Sequence, residues 1–394
     1  MRIAFIGASH WHLPLYLEPA LAIPGVAVVG VSDPDARVTT ALAAQLGCAG
    51  DPDYRELCRR VKPDFVFALG RHVDMPDEAR FLIAEGIPFA LEKPCGMTAA
   101  DAAALAKAAA GSFAAVPLVM RDGDYVPFLV DEAARGGAQY ATFRFMAGFA
   151  SRYTAAGCDW MLDPALAGGG AAINLGIHFF DLALQLLGPD VTVGQATMSN
   201  AAWGHPIEDY AAVTFRNGSR VMLMETGYVF PGPTSTFDMH FVVRTPNRYI
   251  VAPDQQTVDV YELDGRVERR SMGTTNVPCY PRFVRDVLAR ARDGRPPVAS
   301  LADMVPIMNL VEAAYAAAGW SVQLAGRDAA GLEREAADIA TRTGVAVSVH
   351  AIDILDTGAF AAFADGLPVL PDTVVSVVGL PGKQTRAETD PVHA

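Results

Sequence analysis

The feature that most constrains this chain is a regular alternation across its first 120 residues. Short apolar runs at 2–6, 26–32, 64–69, 88–91 and 115–120 are separated by helix-like stretches at 15–22, 36–46, 54–61, 77–85 and 99–110. Repetition of this kind predicts a parallel sheet covered by helices on both faces. Thr98, with Asp101 three residues on, marks one of the helix starts. Ligands of such open sheets bind beyond the carboxyl ends of the strands. The residues that follow each apolar run are therefore the candidate site.

The first of these turns reads Gly7-Ala8-Ser9-His10-Trp11-His12. A dinucleotide-binding turn carries three glycines, for the turn itself, for backbone approach to pyrophosphate and for helix packing. Gly7 supplies one, and Ser9 and His12 stand in the other two places. Ser9 offers a hydroxyl to a phosphate, whereas His10, Trp11 and His12 either cover a cofactor or pack locally. A metal site at His10 and His12 is not expected, because no carboxylate or further histidine is near them in sequence. The second run ends at Asp33, placed either to accept hydrogen bonds from an adenosine ribose or to cap the next helix. Its charge disfavours a 2′-phosphate, so NAD is expected, with NADP possible. The third run ends Leu69-Gly70-Arg71-His72, also on the cofactor edge.

The fourth run ends Glu92-Lys93-Pro94. Proline removes a ladder donor and holds the residue before it extended, so the strand stops there. Lysine is scarce in this chain, with only Lys62, Lys93, Lys107 and Lys383. Lys93 reads either as a partly desolvated amine that exchanges a proton with a substrate oxygen or as a surface lysine at a strand end. Cys95 beside it is either a reactive thiol or a small buried filler.

Beyond residue 120 the pattern changes. A helix over 127–134 and a strand over 139–146 precede Gly168-Gly169-Gly170. In the helix expected next, Asn174, His178 and Asp181 fall at i, i+4 and i+7 on one face. That stripe is either a relay, in which Asp181 orients His178, or a buried histidine satisfied by backbone. Apolar alternation and turn residues from 191 to 270 predict an open, mainly antiparallel sheet, followed by helices over 281–291 and 304–317. Self-association through that sheet is the usual way to cover it, so a homodimer or homotetramer is expected. The expected divisions are a Rossmann domain over 1–120, an α+β domain over 121–318 and a partial strand–helix–strand tail over 319–394, with strand-like runs at 321–328, 345–353 and 372–379, a charged helix over 330–343 and a polar end from Lys383.

The net charge of −13 argues against nucleic acid or an anionic membrane as partner. No apolar run reaches membrane-spanning length, and the chain enters its first strand directly, so a cytoplasmic protein is the expectation. The five cysteines are scattered without a CxxC pair, which suits reduced thiols better than disulfides or a zinc site.

Three segments together resemble the glucose–fructose oxidoreductase and inositol dehydrogenase (Gfo/Idh/MocA) family over residues 1–318. They are Glu92-Lys93-Pro94, then Gly168-Gly169-Gly170 with Gly176-x-His178-x-x-Asp181, and Ser300-Leu301-Ala302-Asp303 with Glu312-Ala313-Ala314-Tyr315. The resemblance implies a Rossmann domain, a second domain with a large open sheet, and NAD(P)-dependent hydride transfer at a hydroxyl or keto group of a sugar-like substrate. It makes Lys93 and His178 the acid–base pair, with Asn174 where the family often has aspartate and Asp181 matching a later family acid. Gly7, Ser9, His10, Trp11, Asp33, Leu69, His72, Glu92, Lys93 and Arg121 fall on its cofactor side. The alternative is a catalytically weak dinucleotide- or sugar-binding regulator. The tail resembles an internal piece of a short-chain dehydrogenase/reductase, in which Arg327-Asp328 would lie near adenosine. No tyrosine follows Tyr315, so a Tyr-x-x-x-Lys pair is impossible there and the tail is expected to be non-catalytic.

Overall fold

The five apolar runs, with one short extra strand, become a six-stranded sheet, all of it parallel. In chain order its elements are β1 (Arg2–Ile6), α1 (Leu13–Leu21), β2 (Ala27–Ser32), α2 (Ala36–Leu46), β3 (Ala49–Gly50), α3 (Tyr54–Val61), β4 (Phe65–Ala68), α4 (Met75–Ala84), β5 (Phe89–Leu91), α5 (Ala99–Ala108) and β6 (Ala114–Ala115). The spatial order is β3-β2-β1-β4-β5-β6. The order reverses between β1 and β4, which places the ligand crevice at their carboxyl ends. Every residue of β4 and β5 is buried, as expected for strands with helices on both faces. Thr98 and Asp101 form the expected capping box on α5.

This computed structural model describes residues 1–232, 237–319, 321–334, 336, 346–353 and 356–366. Two compact units result, Met1–Ala318 and Gly319–Ala394. The first continues through α6 (Tyr125–Ala134), β7 (Tyr140–Met146), α7 (Ser151–Ala155), α8 (Pro164–Ala167), α9 (Ala171–Asn174) and α10 (Ile177–Leu187). Then come β8 (Thr192–Ser199), β9 (Tyr210–Asn217), β10 (Arg220–Gly227), β11 (Asp238–Arg244), β12 (Arg248–Ala252), β13 (Thr257–Glu262), β14 (Val267–Ser271), α11 (Tyr280–Asp293) and α12 (Leu301–Ala317). The second sheet runs β14-β13-β12-β11-β7-β10-β9-β8. It is antiparallel except at the β7–β10 pair. One apolar core joins this sheet to the first, running from Val66 and Leu91 through Phe143 and Phe180 to Phe241. On the other face of the first sheet, α11 returns to pack Tyr280 and Phe283 against Tyr16 of α1.

Two expectations need correction. The fifth run is strand only at Ala114–Ala115, because Val116 N–H donates to Ala299 and the chain turns into a 3-10 segment at Val119–Asp122. The single helix expected to carry Asn174, His178 and Asp181 is two helices. It breaks at Leu175-Gly176, and the chain turns by 46° between Pro164–Asn174 and Ile177–Leu187.

In the second unit, β15 (Ser321–Gly326) pairs in parallel with β16 (Ala346–Ala351), and α13 (Thr357–Gly366) follows. The helix expected over 330–343 is described only at 330–334 and 336. The further strand expected at 372–379 and the polar end from Lys383 lie outside the described residues. Among the described residues, no single helix is long and apolar enough to cross a membrane.

Candidate active site

At the end of β1, Gly7 takes a left-handed conformation (φ +72°) where the chain passes against β4. A Cβ there would come within 2.5 Å of the Leu69 carbonyl, so the turn cannot accept a larger residue. The rest of the turn departs from a glycine-rich loop. Ala8 N–H donates to Ser32 O, Ser9 N–H to Asp33 Oδ2, His10 N–H to Gly7 O, His12 N–H to His10 Nδ1 and Leu13 N–H to His10 O. These amides are engaged within the protein, which removes donors that a phosphate would otherwise receive.

Asp33 is buried at the end of β2, and its other oxygen accepts from Asp35 N–H. The cap of α2 is Asp35, not Asp33. Gly7, Ser9, His10, Asp33, Leu69, Gly70, Arg71 and Trp160 line a cavity of about 210 Å³ along the ends of β1, β2 and β4. Glu78 of α4 closes its floor, and burial raises that carboxyl to about 8. His72 is not in this lining. Its Nδ1 lies 2.7 Å from Ala167 O and its ring packs on Trp160, so it is a buried histidine satisfied by backbone.

A second cavity sits at the end of β5. The Lys93 side chain is buried, and its Nζ donates to Asn174 Oδ1 at 2.7 Å and Asn174 O at 3.0 Å. An ammonium only donates, which fixes the amide: Oδ1 faces Lys93, and Nδ2 donates to the Tyr153 hydroxyl at 2.7 Å and the Tyr228 hydroxyl at 2.9 Å. Beneath Lys93, the Glu92 carboxylate accepts from the Tyr16 hydroxyl and faces His12 Nδ1 at 3.3 Å and Lys93 Nζ at 4.0 Å. Burial opposes ionisation of Glu92, but His12 and Lys93 together hold its carboxyl well below the usual range. Burial lowers Lys93 to about 8, against the attraction of Glu92 and with repulsion from Arg152 adding to the fall. Burial also pulls His10 and His12 below the ordinary imidazole range, with Glu92 opposing the fall in both.

Lys93, Asn174 and His178 line this one cavity, together with Trp11, His12, Thr275 and Asn276. The cavity is about 30 Å³, roughly the room for one water. His178 is buried; its Nε2 lies 3.4 Å from Asn276 Nδ2 and its Nδ1 has no partner among the described residues. Burial and the nearby Lys93 pull His178 down to about 3. Thr275 Oγ1 and Trp11 Nε1 are likewise buried without partners among the described residues.

Asp181 does not orient His178. Both its oxygens are held by Arg121, at 2.6 Å from Nη2 and 3.0 Å from Nε, and Arg121 Nη1 reaches Asp303 at 2.7 Å. The break at Leu175-Gly176 separates the two ends of the expected stripe, and the guanidinium then ties α10 to the start of α12. Neither Asp181 nor Arg121 lines either cavity. Cys95 is a buried filler whose thiol is pushed up by burial. The glycine cluster also has a structural partner: Gly170 and Ala172 N–H groups donate to buried Glu208, which accepts in turn from Tyr315. Tyr153, Tyr228, Thr275 and Asn276 carry no local sequence signal of a site, because each arrives from a different element through tertiary packing.

A Rossmann sheet with one crevice along β1, β2 and β4 and a buried lysine at the end of β5 defines an NAD-binding oxidoreductase. Residues 1–116 match the family model described as an oxidoreductase family with an NAD-binding Rossmann fold, and residues 129–251 match the GFO/IDH/MocA C-terminal domain. The chain belongs to the Gfo/Idh/MocA family.

Among solved structures, an oxidoreductase from Agrobacterium radiobacter in complex with NAD+, L-tartaric acid and magnesium is 19% identical, with a TM-score of 0.68 over 81% of this chain and 96% of that one. GenD2 from gentamicin A biosynthesis, in complex with NAD, is 22% identical, with a TM-score of 0.68 over 81% and 94% of the two chains. A levoglucosan dehydrogenase in complex with NADH and levoglucosan is 15% identical, with a TM-score of 0.68 over 81% and 97%. At these identities the likeness carries the fold. A comparison with curated protein sequences gave no match.

Proposed function

We propose that this chain oxidises or reduces a CH–OH or keto group of a small polar, sugar-like substrate with NAD(H), and that Lys93 moves the proton. The observation that carries this reading is a buried ammonium lowered to about 8, facing the same cavity as a neutral imidazole. A general acid–base works best with a pKa near the working pH. Lys93 meets that condition, and His178, at about 3, is too weak a base to share the task. His178 instead offers its unpartnered Nδ1 as a hydrogen-bond partner that positions the carbinol. Asn174 holds the Lys93 ammonium in place by accepting from it, and carries no charge of its own to pair with it.

Gly7, Ser9, His10, Asp33 and Leu69 fit the adenosine and ribose end of NAD, with Asp33 as the ribose acceptor. Trp11 and Lys93, which line the second cavity, take the nicotinamide end, while Glu92, His72 and Arg121 act from behind as supports. When bound, the nicotinamide supplies the hydride acceptor or donor. The water-sized cavity has to widen for substrate, and its wall from Thr274 to Asn276 belongs to no helix or strand. Residues 1–120 hold the cofactor and 121–318 the substrate, and the eight-stranded sheet, with Tyr140, Tyr249 and Tyr261 exposed, joins copies of the chain.

One observation favours a second reading. The engaged amides of the Ala8–Leu13 turn weaken the grip on pyrophosphate, which suits a binding protein without turnover. Fluorescence titration with NADH, followed by a screen of polyols, sugars and hydroxy acids for NADH formation, separates the two. Lys93→Ala is expected to cut turnover on the order of a hundredfold or more with NADH binding kept. Unchanged turnover in that variant removes Lys93 from the chemistry; absence of NADH binding removes the oxidoreductase.

A further inference from the structure

Arg152 sits on α7, within a cluster of rings beside the Lys93 cavity. Its guanidinium carbon lies 5.4 Å from the centroid of Trp11, 5.0 Å from Tyr153 and 5.5 Å from Tyr228. Trp11 itself lines the cavity, and its ring meets Tyr153 edge-on at 5.5 Å. Hydrogen bonds run without interruption from Lys93 Nζ to Asn174, from Asn174 to the Tyr153 hydroxyl, and from Arg152 Nη2 to that same hydroxyl at 3.0 Å. The two cations are thus the ends of one short polar chain.

Arg152 lacks a counter-charge. Among the described residues no carboxylate lies within ion-pairing distance of it, and its buried Nε has no hydrogen-bond partner. Glu92 is the carboxylate of this region, and it is already engaged by Tyr16, His12 and Lys93. Ring contacts alone do not compensate for an unmet buried N–H beside a second cation. An apolar side chain would pack on the same rings without that cost. An arginine left with free donors in a planar fork is matched to a carboxylate.

We propose that Arg152 is the anchor for a carboxylate group of the substrate, so that the substrate is a small hydroxy acid or sugar acid whose carbinol lies at Lys93. This rests on the reading of Lys93 above and narrows it to anionic substrates. With the carboxylate bound, the positive charges of Lys93 and Arg152 are balanced by Glu92 and the ligand. A neutral polyol would leave Arg152 as unmatched as before. Arg152 binds and orients the substrate and takes no part in proton transfer.

The test is isothermal titration of the full chain, with and without saturating NADH, using D-gluconate, L-malate, sorbitol and inorganic phosphate. At least one of the two carboxylates is expected to bind roughly tenfold or more tightly than sorbitol. Arg152→Met is expected to abolish that preference, and Arg152→Lys to keep part of it. A melting curve checks each variant, and Arg152→Lys carries the comparison if Arg152→Met does not fold. Equal binding of sorbitol and both carboxylates, tighter binding of phosphate, no carboxylate binding, or wild-type carboxylate affinity in Arg152→Met would each overturn the proposal. NADH affinity is read in the same titrations. Its loss sinks the oxidoreductase reading while the anion arms remain interpretable, and intact NADH binding with failed carboxylate arms sinks only the role of Arg152.

Discussion

Asn174→Asp places a carboxylate where an amide now accepts from Lys93 at 2.7 Å. At an effective dielectric of about 20, opposite unit charges at that separation attract by about 6 kcal/mol. Burying the new carboxylate costs several kcal/mol of that. The residue is a shift of roughly 1–3 pKa units upward in Lys93, the range seen for closely paired groups. Lys93 starts from about 8. At about pH 7.5 its neutral fraction falls from about a quarter to about 3% or less, so a reaction that uses the neutral amine slows about eightfold or more. The chain has only four lysines, Lys62, Lys93, Lys107 and Lys383, so 13C-lysine NMR resolves each titration directly, with Lys93 assigned by its loss in Lys93→Met. The expected result is a midpoint near 8 in the wild type and at least about one unit higher in Asn174→Asp. The same midpoint in both proteins would refute the reasoning, because it would mean that Asn174 does not face the ammonium.

Four further outcomes follow from the same geometry. Oxidation should rise with pH through a midpoint near 8 and reduction should fall through it, read from kcat/KM profiles, because the base is the neutral form of Lys93. Burial disfavours charged Lys93 in the folded state, so relative to Lys93→Met the wild type pays a penalty of about 3 kcal/mol below pH 8. That penalty fades as pH rises toward 10.5, which urea unfolding at several pH values measures. Asp33→Ala should weaken NADH about tenfold or more by fluorescence titration, from the lost ribose acceptor. Arg121→Met strands the buried Asp181 and should destabilise the fold by about 3 kcal/mol, read by urea unfolding.

Much of the first unit is legible in the chain because local rules and the global fold agree there. Alternating runs and helices, the Thr98 and Asp101 cap, and a proline directly after Lys93 all point to one parallel sheet with a lysine at a strand end. Asp33 is legible for the same reason, since the end of β2 is a topological position. What the chain does not announce is set by distant contacts. The break between α9 and α10 reads locally as a continuous apolar helix, yet Glu208, from a loop after β8, captures the Gly170 and Ala172 amides and fixes where α9 begins. Arg121 takes Asp181 away from His178 because Asp303 arrives on α12, far along the sequence. Tyr153, Tyr228 and Arg152 meet Asn174 and Trp11 only after both sheets are in place.

The central claim is that the Lys93 ammonium titrates near neutrality beside a bound nicotinamide ring. The direct measurement is the 13C-lysine titration of Lys93 in the full chain, free and saturated with NAD+, NADH or ADP-ribose. The expected midpoint is near 8 in the free protein, lowered by the positive nicotinamide of NAD+ and not by ADP-ribose. A Lys93 midpoint near 10.5, or one that NAD+ and ADP-ribose move alike, would contradict it.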